Sequence, residues 1–299
     1  MLRPRHFGWN PETASSNSFQ GKTDPLQPPS GWSALALNEF DEMLEQITIS
    51  GIEVTVLPDR EDLVCPDAVF LNNVFCTLPD GGLVHFPMES PLRRQEKNPD
   101  LASVLIEAGF KVQYESDWSD WAEGGQYLEG TGSMVLDHRN KMAFAAYSSR
   151  TSPQLFKAWC REFGYEAFGF HSSDPDGLPY YHTNVLMSLG HHTALVAKDA
   201  VDHLVYQELK SLLEAGGRKV IPMDSGQIGS FAANVLEATG TDGTYHWIAS
   251  QSAIDAWTAQ QHKLLMQEHK IIAVQLPTIE SVGGGSARCM LAENHLERL

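Results

Sequence analysis

The sequence is short of positive charge, of cysteine and of long apolar runs, and each shortage removes a class of function. It carries 21 Lys and Arg against 38 Asp and Glu, a formal net charge of −17. Nucleic acid and anionic membrane surfaces both demand clusters of basic side chains, so neither is expected as a partner. No stretch approaches the roughly 20 consecutive apolar residues of a membrane-spanning helix. The opening Met1-Leu2-Arg3-Pro4-Arg5 is basic, but no apolar segment of signal length follows it, and a cytoplasmic location is the expectation. The four cysteines, Cys65, Cys76, Cys160 and Cys289, form no Cys-x-x-Cys pair. Reduced thiols are therefore expected, and neither a disulfide framework nor a structural zinc. His191-His192 and the other scattered histidines lack His-x-x-x-His spacing with a nearby Glu and read as surface or packing residues, so no metal is expected.

At 299 residues the chain can bury a large core, as one large domain or two. Its first thirty residues, with Asn10-Pro11-Glu12-Thr13-Ala14 and Pro28-Pro29-Ser30-Gly31, are rich in Pro, Ser, Asn and Gly and read as irregular surface structure. Leu35, Phe40, Leu44 and Ile47 suit an amphipathic helix over 32–49, ended by Gly51. Residues 52–57 alternate around β-branched side chains and read as a strand.

A period follows. Residues 68–77 and 83–87 read as strands around the turn Pro79-Asp80-Gly81-Gly82, then a helix over 93–108 and a strand over 111–114. Strand pairs recur at 132–136 and 142–147, at 184–189 and 193–197, and at 232–236 and 244–249, with helices expected over 152–163, 200–215 and 252–269. A last strand over 271–275 leads to a glycine run. Asn73, Met134, Asn184, Asn234 and Cys289 occupy corresponding points, spaced by about 50 to 60 residues. Units of that size, each with hairpin, helix and strand, predict an α/β array around an axis, with equivalent strands converging on one cavity. The alternative is a two-layer α/β sandwich in which the period is a coincidence.

The glycine run is Gly283-Gly284-Gly285-Ser286-Ala287-Arg288-Cys289-Met290. Glycines allow backbone turns barred to other residues and close approach of a ligand. A neighbouring cation, Arg288, and a dense set of backbone N–H groups would favour the thiolate of Cys289, the reactive form; a free, buried structural cysteine is the plainer alternative. The period brings Asp67, Asn73, Glu129, His182, Asn184 and Asn234 to the same centre as Cys289. A thiol nucleophile needs a base, usually histidine, and a carboxylate to manage protons on the far side of the reacting carbon.

These residues carry a resemblance over nearly the whole chain. Arg3-Pro4, Asn10-Pro11-Glu12-Thr13-Ala14, Pro66-Asp67-Ala68-Val69-Phe70, Pro91-Leu92-Arg93-Arg94-Gln95-Glu96, Leu128-Glu129-Gly130, Tyr180-Tyr181-His182-Thr183-Asn184 and the glycine–arginine–cysteine end occur in order. The sequence resembles the guanidine-modifying enzymes: arginine deiminases, dimethylarginine dimethylaminohydrolases and amidinotransferases, and among them the proposed citrulline-utilisation hydrolases. The resemblance implies a five-bladed α/β propeller, the pentein fold, formed by residues 1–299 as one domain. It implies that Cys289 attacks a guanidino or ureido carbon, that His182 protonates the leaving amine and then activates water, and that Glu129 binds the substrate nitrogens. Arg93 or Arg94 matches an arginine that holds the substrate carboxylate in relatives, and Asp67, Asn73, Asn184, Asn234 and Arg288 complete the expected substrate site. No metal or organic cofactor is implied; the partner is a small guanidino or ureido amino acid, and a homo-oligomer is left open.

Two positions depart from the family pattern. Arginine deiminases carry an aspartate where Asn73 lies, and they and the amidinotransferases carry another where Asn184 lies. Two neutral amides in place of two anions weaken the grip on a buried cation and suit a neutral ureido group, since an amide offers both donor and acceptor. Citrulline or a substituted arginine is the expected substrate. An amidinotransferase using the same intermediate, and a non-catalytic amino-acid-binding propeller, are the alternatives. The first thirty residues and the loop 117–126 are the candidate covers of the site.

Overall fold

The computed structural model describes residues 1–21 and 31–299; the Pro28-Pro29-Ser30 part of the expected irregular stretch lies outside them. Among the described residues, four three-stranded sheets repeat one plan. A short strand pairs antiparallel with the next, and that central strand pairs parallel with a third. In the first sheet Phe75–Thr77 meets Gly82–His85 antiparallel, and Gly82–His85 meets Tyr114–Asp117 in parallel. The other three sheets join Val135–Asp137, Met142–Tyr147 and Glu166–His171; Met187–Leu189, Thr193–Ala197 and Lys219–Met223; and Leu236–Thr239, Tyr245–Ser250 and His269–Val274.

Local chemistry sets each element. The hairpin at 78–82 turns on Gly81 at φ 91°, a left-handed position that suits glycine. A parallel third strand requires a crossover, and helices supply it. Pro153–Phe163 opens with proline in its first turn and closes on Gly164 at φ 71°. His203–Ala215 starts where the Asp202 side chain accepts the Leu204 N–H.

The fifth unit is assembled from both ends of the chain. Leu2–Arg3 pairs in parallel with Leu57–Pro58, and Trp32–Ile49 is the intervening helix. Phe40, Met43 and Ile47 on that helix share one core with Val274, Ile279, Ala287, Cys289 and Met290. The segment that carries Cys289 is thus held by the N-terminal helix.

Five short turns meet at the centre, and hydrogen bonds connect neighbours around it. Asn72 Nδ2 donates to Thr131 Oγ1 at 3.3 Å and Thr131 Oγ1 donates to the Asn72 carbonyl at 3.2 Å. Thr183 Oγ1 donates to the Ser133 carbonyl at 2.5 Å, Asn234 Nδ2 to the Asn184 carbonyl at 2.9 Å, and the Arg288 N–H to Asn234 Oδ1 at 3.2 Å. Contact between Leu71–Asn73 and Ala287–Met290 closes the circle. This is the five-unit α/β propeller expected from the period.

Several boundaries differ from the sequence expectation. The 93–108 helix is two pieces, Pro91–Arg94 and Leu101–Glu107, because Pro99 bars the helical conformation before it and lacks an N–H. The 252–269 helix breaks at Trp257, which is extended at ψ 138°, before Thr258 caps Ala259–Leu265. The expected strand over 52–57 pairs only from Leu57. Two third strands went unforeseen. Glu166–His171 buries only Phe170 and half-buries Phe168, too short an alternation to mark it, and Lys219–Met223 contains a proline, which only an edge strand tolerates.

Thr183 links two units, since its hydroxyl also accepts the Ala146 N–H at 2.7 Å. Thr183→Val keeps the shape but strips partners from two buried backbone groups. It is expected to lower unfolding free energy by about 3 kcal/mol, read by urea denaturation; a change under about 1 kcal/mol would show that the central hydrogen bonds carry little stability.

Candidate active site

At this centre lies a cavity of about 10 Å³ lined by Asp67, Asn73, Arg93, Arg150, His182 and Cys289, with Thr13, Asn17 and Gly283 to Gly285 above them. That is room for one water molecule.

Cys289 sits in the short helical turn Ala287–Met290 and is 3% exposed. Its own N–H donates to the Ser286 carbonyl at 2.9 Å. Asn184 Nδ2 and Asn234 Nδ2 donate to its Sγ at 3.4 and 3.3 Å. The preceding turn depends on Gly284, at φ 66°, where a Cβ would stand 2.6 Å from the Gln20 nitrogen. The Gly284 carbonyl accepts Tyr181 Oη at 2.7 Å and Asn17 Nδ2 at 3.1 Å. The glycines therefore admit the residue 10–21 segment and the Phe70 ring against the backbone.

His182 is extended at φ −137°, ψ 149°, and its Nε2 lies 2.8 Å from Glu129 Oε2. Glu129 spends its other oxygen on the Glu89 N–H at 2.9 Å. Burial would raise the Glu129 carboxyl, but the His182 hydrogen bond, Arg150 and Arg93 outweigh it and hold it at about 2. Burial pushes the His182 imidazole down to about 4, against the pull of Glu129. At neutral pH this is a carboxylate facing a neutral ring. The ring proton then lies on Nε2, and Nδ1 carries the basic lone pair. Gly132 makes room beside it: a Cβ there would fall 2.7 Å from His182 Nδ1 and 2.2 Å from Asn73 Nδ2.

Arg93 is fully occupied along one edge. Its Nε and Nη2 form a fork with Glu96 at 3.0 and 2.9 Å, and Nη1 donates to Asn73 Oδ1 at 2.8 Å. Burial drives the Glu96 carboxyl up to about 7 in spite of Arg93. Asn73 Nδ2 donates in turn to Asn72 Oδ1 at 3.1 Å. Because arginine only donates, this chain fixes the orientation of the Asn73 amide. Asp67 Oδ2 accepts Asn10 Nδ2 at 2.8 Å, whereas Asp67 Oδ1 is buried without a partner. Burial pushes its carboxyl upward despite Arg93 nearby.

Of the residues expected from the sequence, Cys289, His182, Asp67, Asn73 and Arg93 line the cavity. Glu129 does not; it stands behind His182 with both oxygens hydrogen-bonded and is not among the lining residues. Asn184 and Asn234 touch the sulfur. Arg94 is exposed and fastens the Met88 and Glu89 carbonyls, at 3.0 Å each. Arg288 turns away to the Leu291 carbonyl and Glu293, at 2.7 and 2.6 Å, so it is not the cation expected beside the thiol. The loop 117–126 contributes nothing to the lining, whereas the N-terminal segment does.

Arg150 went unforeseen. It is 2% exposed, lies 5.1 Å over the Tyr181 ring, and its Nη2 donates to the Thr13 carbonyl at 3.1 Å and Ser16 Oγ at 2.8 Å. Among the described residues its Nη1 has no hydrogen-bond partner, and it stands 3.8 Å from Glu129. The one sequence signal was its place just before Thr151-Ser152-Pro153, ahead of a helix. Among the described residues, no group of three His, Cys, Asp or Glu is placed to hold a metal ion, and no helix is long and apolar enough to cross a membrane.

Comparison with known proteins agrees with this architecture. The N-terminal domain of ArgZ, "an arginine dihydrolase from the Ornithine-Ammonia Cycle in Cyanobacteria", superposes with a TM-score of 0.73 at 17% identity, over 97% of this chain and 95% of that one. Against a longer ArgZ chain the match covers 100% of this chain but 42% of ArgZ, with a TM-score of 0.74 at 16% identity. A dimethylarginine dimethylaminohydrolase, solved as an adduct with 4-chloro-2-hydroxymethylpyridine, gives a TM-score of 0.63 at 17% identity, over 89% of this chain and 92% of that one. At these identities the likeness is one of fold. No curated protein sequence matches the chain significantly. The family model for eukaryotic N,N dimethylarginine dimethylhydrolase matches residues 3–296, and the chain belongs to that family, within the pentein superfamily of guanidine-modifying proteins.

Proposed function

We propose that residues 1–299 form one propeller unit that works as a cysteine-dependent hydrolase on the guanidino or ureido carbon of an arginine-related amino acid, with the neutral ureido group of citrulline preferred. Membership in a hydrolase family, and a neutral His182 held by the Glu129 carboxylate on the same cavity as Cys289, support the reaction class. The observation that carries the substrate choice is the locked Asn73 amide. Its oxygen is spent on Arg93, and one N–H of this cavity-lining residue is left without a partner among the described residues. A carbonyl oxygen accepts from such a donor, whereas a guanidinium offers only N–H groups. Asp67 Oδ1 supplies the matching acceptor for a ureido N–H. Arg150, with Nη1 unspent among the described residues, is the cation best placed for the substrate carboxylate, because hydrogen bonds between oppositely charged groups are the strong ones.

In this reading His182 Nδ1 takes the Cys289 proton and the sulfur adds to the ureido carbon. The leaving amine departs with the proton from Nδ1, and a thiocarbamate remains on sulfur. Water then loses a proton to Nδ1 and attacks the same carbon, and sulfur leaves as thiolate. Glu129 stabilises the imidazolium formed at each step. The cavity is too small for the substrate as it stands, so the segment over 10–21 must lift to admit it.

Purified protein is expected to release ammonia or ornithine from citrulline faster than from arginine, and Cys289→Ser to fall to background in a folded protein. Equal or faster turnover of arginine would sink the ureido preference, and activity in Cys289→Ser would remove the thiol mechanism. Asn73→Asp restores an anion against the substrate, and the ratio of arginine to citrulline kcat/KM should rise about tenfold; an unchanged ratio contradicts the role of that amide. His182 loses its basic lone pair only as pH falls through about 4. The acid limb of kcat/KM on citrulline should therefore lie near pH 4 and not at the ordinary imidazole value, and a limb centred near pH 6.5 would contradict the buried neutral base.

A further inference from the structure

Among the described residues, the hydrogen-bond partners of the Cys289 sulfur are two side-chain amides, and no cation is among them. The Asn234 amide is held in one orientation by its surroundings. Its Oδ1 accepts the Arg288 N–H at 3.2 Å and, while the sulfur is a thiol, a long hydrogen bond from Cys289 Sγ at 3.6 Å; Nδ2 donates to the Asn184 carbonyl at 2.9 Å, which leaves the second N–H for Sγ at 3.3 Å. Asn184 is the reverse case. Its Nδ2 donates to Sγ at 3.4 Å, and its buried Oδ1 has no partner among the described residues. A buried amide with one unsatisfied end is costly, and its only side-chain hydrogen bond is to the sulfur. Turning it round would set a carbonyl oxygen against the sulfur lone pairs, which a thiolate repels.

We propose that Asn184 and Asn234 are catalytic residues that stabilise the Cys289 thiolate, a two-amide cradle in place of the cation expected there. Hydrogen bonds to a charged acceptor are roughly twice as strong as those to a neutral one, so the two donors favour the thiolate over the thiol. Asn184 approaches the sulfur from the third repeat and Asn234 from the fourth, whose turn stands next to Cys289 in the central circle. The ionisable groups on the cavity side are His182, Asp67, Arg93, Arg150 and Tyr181; none is altered by changing either amide. The inference concerns the same site as the proposed reaction but does not depend on which substrate is used.

The test is alkylation by neutral iodoacetamide without substrate, from pH 5 to 10, with each cysteine followed by mass spectrometry. Asn184→Ala gives the cleaner reading, because that amide makes no other hydrogen bond. Alkylation of Cys289 should slow about tenfold at pH 7 for Asn184→Ala and for Asn234→Ala, and should converge with the unaltered protein near pH 10. Opening of the cavity gates all these proteins alike. An unchanged rate, or a slowing by the same factor at every pH, would overturn the cradle. Cys65, Cys76 and Cys160 are all buried, so a variant that unfolds declares itself by labelling them. In that event Asn184→Asp, nearly the same shape but an anion, decides: slower labelling of Cys289 at pH 7 supports the cradle, and equal or faster labelling overturns it. Should Cys289 in the unaltered protein label no faster than the other three, the nucleophile assignment itself fails.

Discussion

The circle of hydrogen bonds between neighbouring turns is the constraint on which the rest depends. Each unit alone is a small sheet with one or two helices and could not bury its inner face. Thr131, Thr183, Asn234 and the Arg288 backbone join one unit to the next through buried polar groups. Buried polar networks of this kind are stabilising only when their members are paired. The same bonds that close the propeller aim its central side chains, and Asn234 shows the economy of it. One amide ties the third repeat to the last segment and still reaches the sulfur.

Around that circle lies an unusual density of buried charge. Asp67, Glu96 and Glu129 face Arg93 and Arg150, all 7% exposed or less. Isolated, any of them would be expensive to bury. Together they fix one another: Glu96 holds Arg93, Arg93 orients Asn73, and Arg150 and Arg93 keep Glu129 ionised behind a neutral His182. The exceptions are informative. Among the described residues, Asp67 Oδ1 and Asn184 Oδ1 are left unpartnered, one on the cavity lining and one on the residue that touches the Cys289 sulfur. The segment over 10–21 seals the cavity by bonding to Asp67, Arg150 and Gly284 from above.

Much of this was legible in the chain. A repeat of hairpin, helix and strand placed Asn73, Asn184, Asn234 and Cys289 at equivalent points, and those points do converge. The roles within the site were harder to read. Glu129 was expected on the substrate and stands behind His182; Arg288 was expected beside the thiol and turns to Glu293. Adjacent residues on a tight turn point in different directions, and sequence spacing does not say which. Arg150 escaped because it belongs to no repeat position and gains its importance only from the strap folded over it. The third strands at 166–171 and 219–223 escaped for a related reason: exposed or proline-bearing edge strands lack the alternation that marks a half-buried one.

The central claim is that the substrate carbon becomes bonded to Cys289 during turnover. Acid quenching of the working protein with excess citrulline, followed by mass analysis of its peptides, tests it most directly. The account requires added mass on the Cys289 peptide equal to the substrate less its leaving amine, absent from Cys289→Ser. Steady turnover with no mass added at Cys289, or with the adduct on Cys65, Cys76 or Cys160 instead, would contradict it.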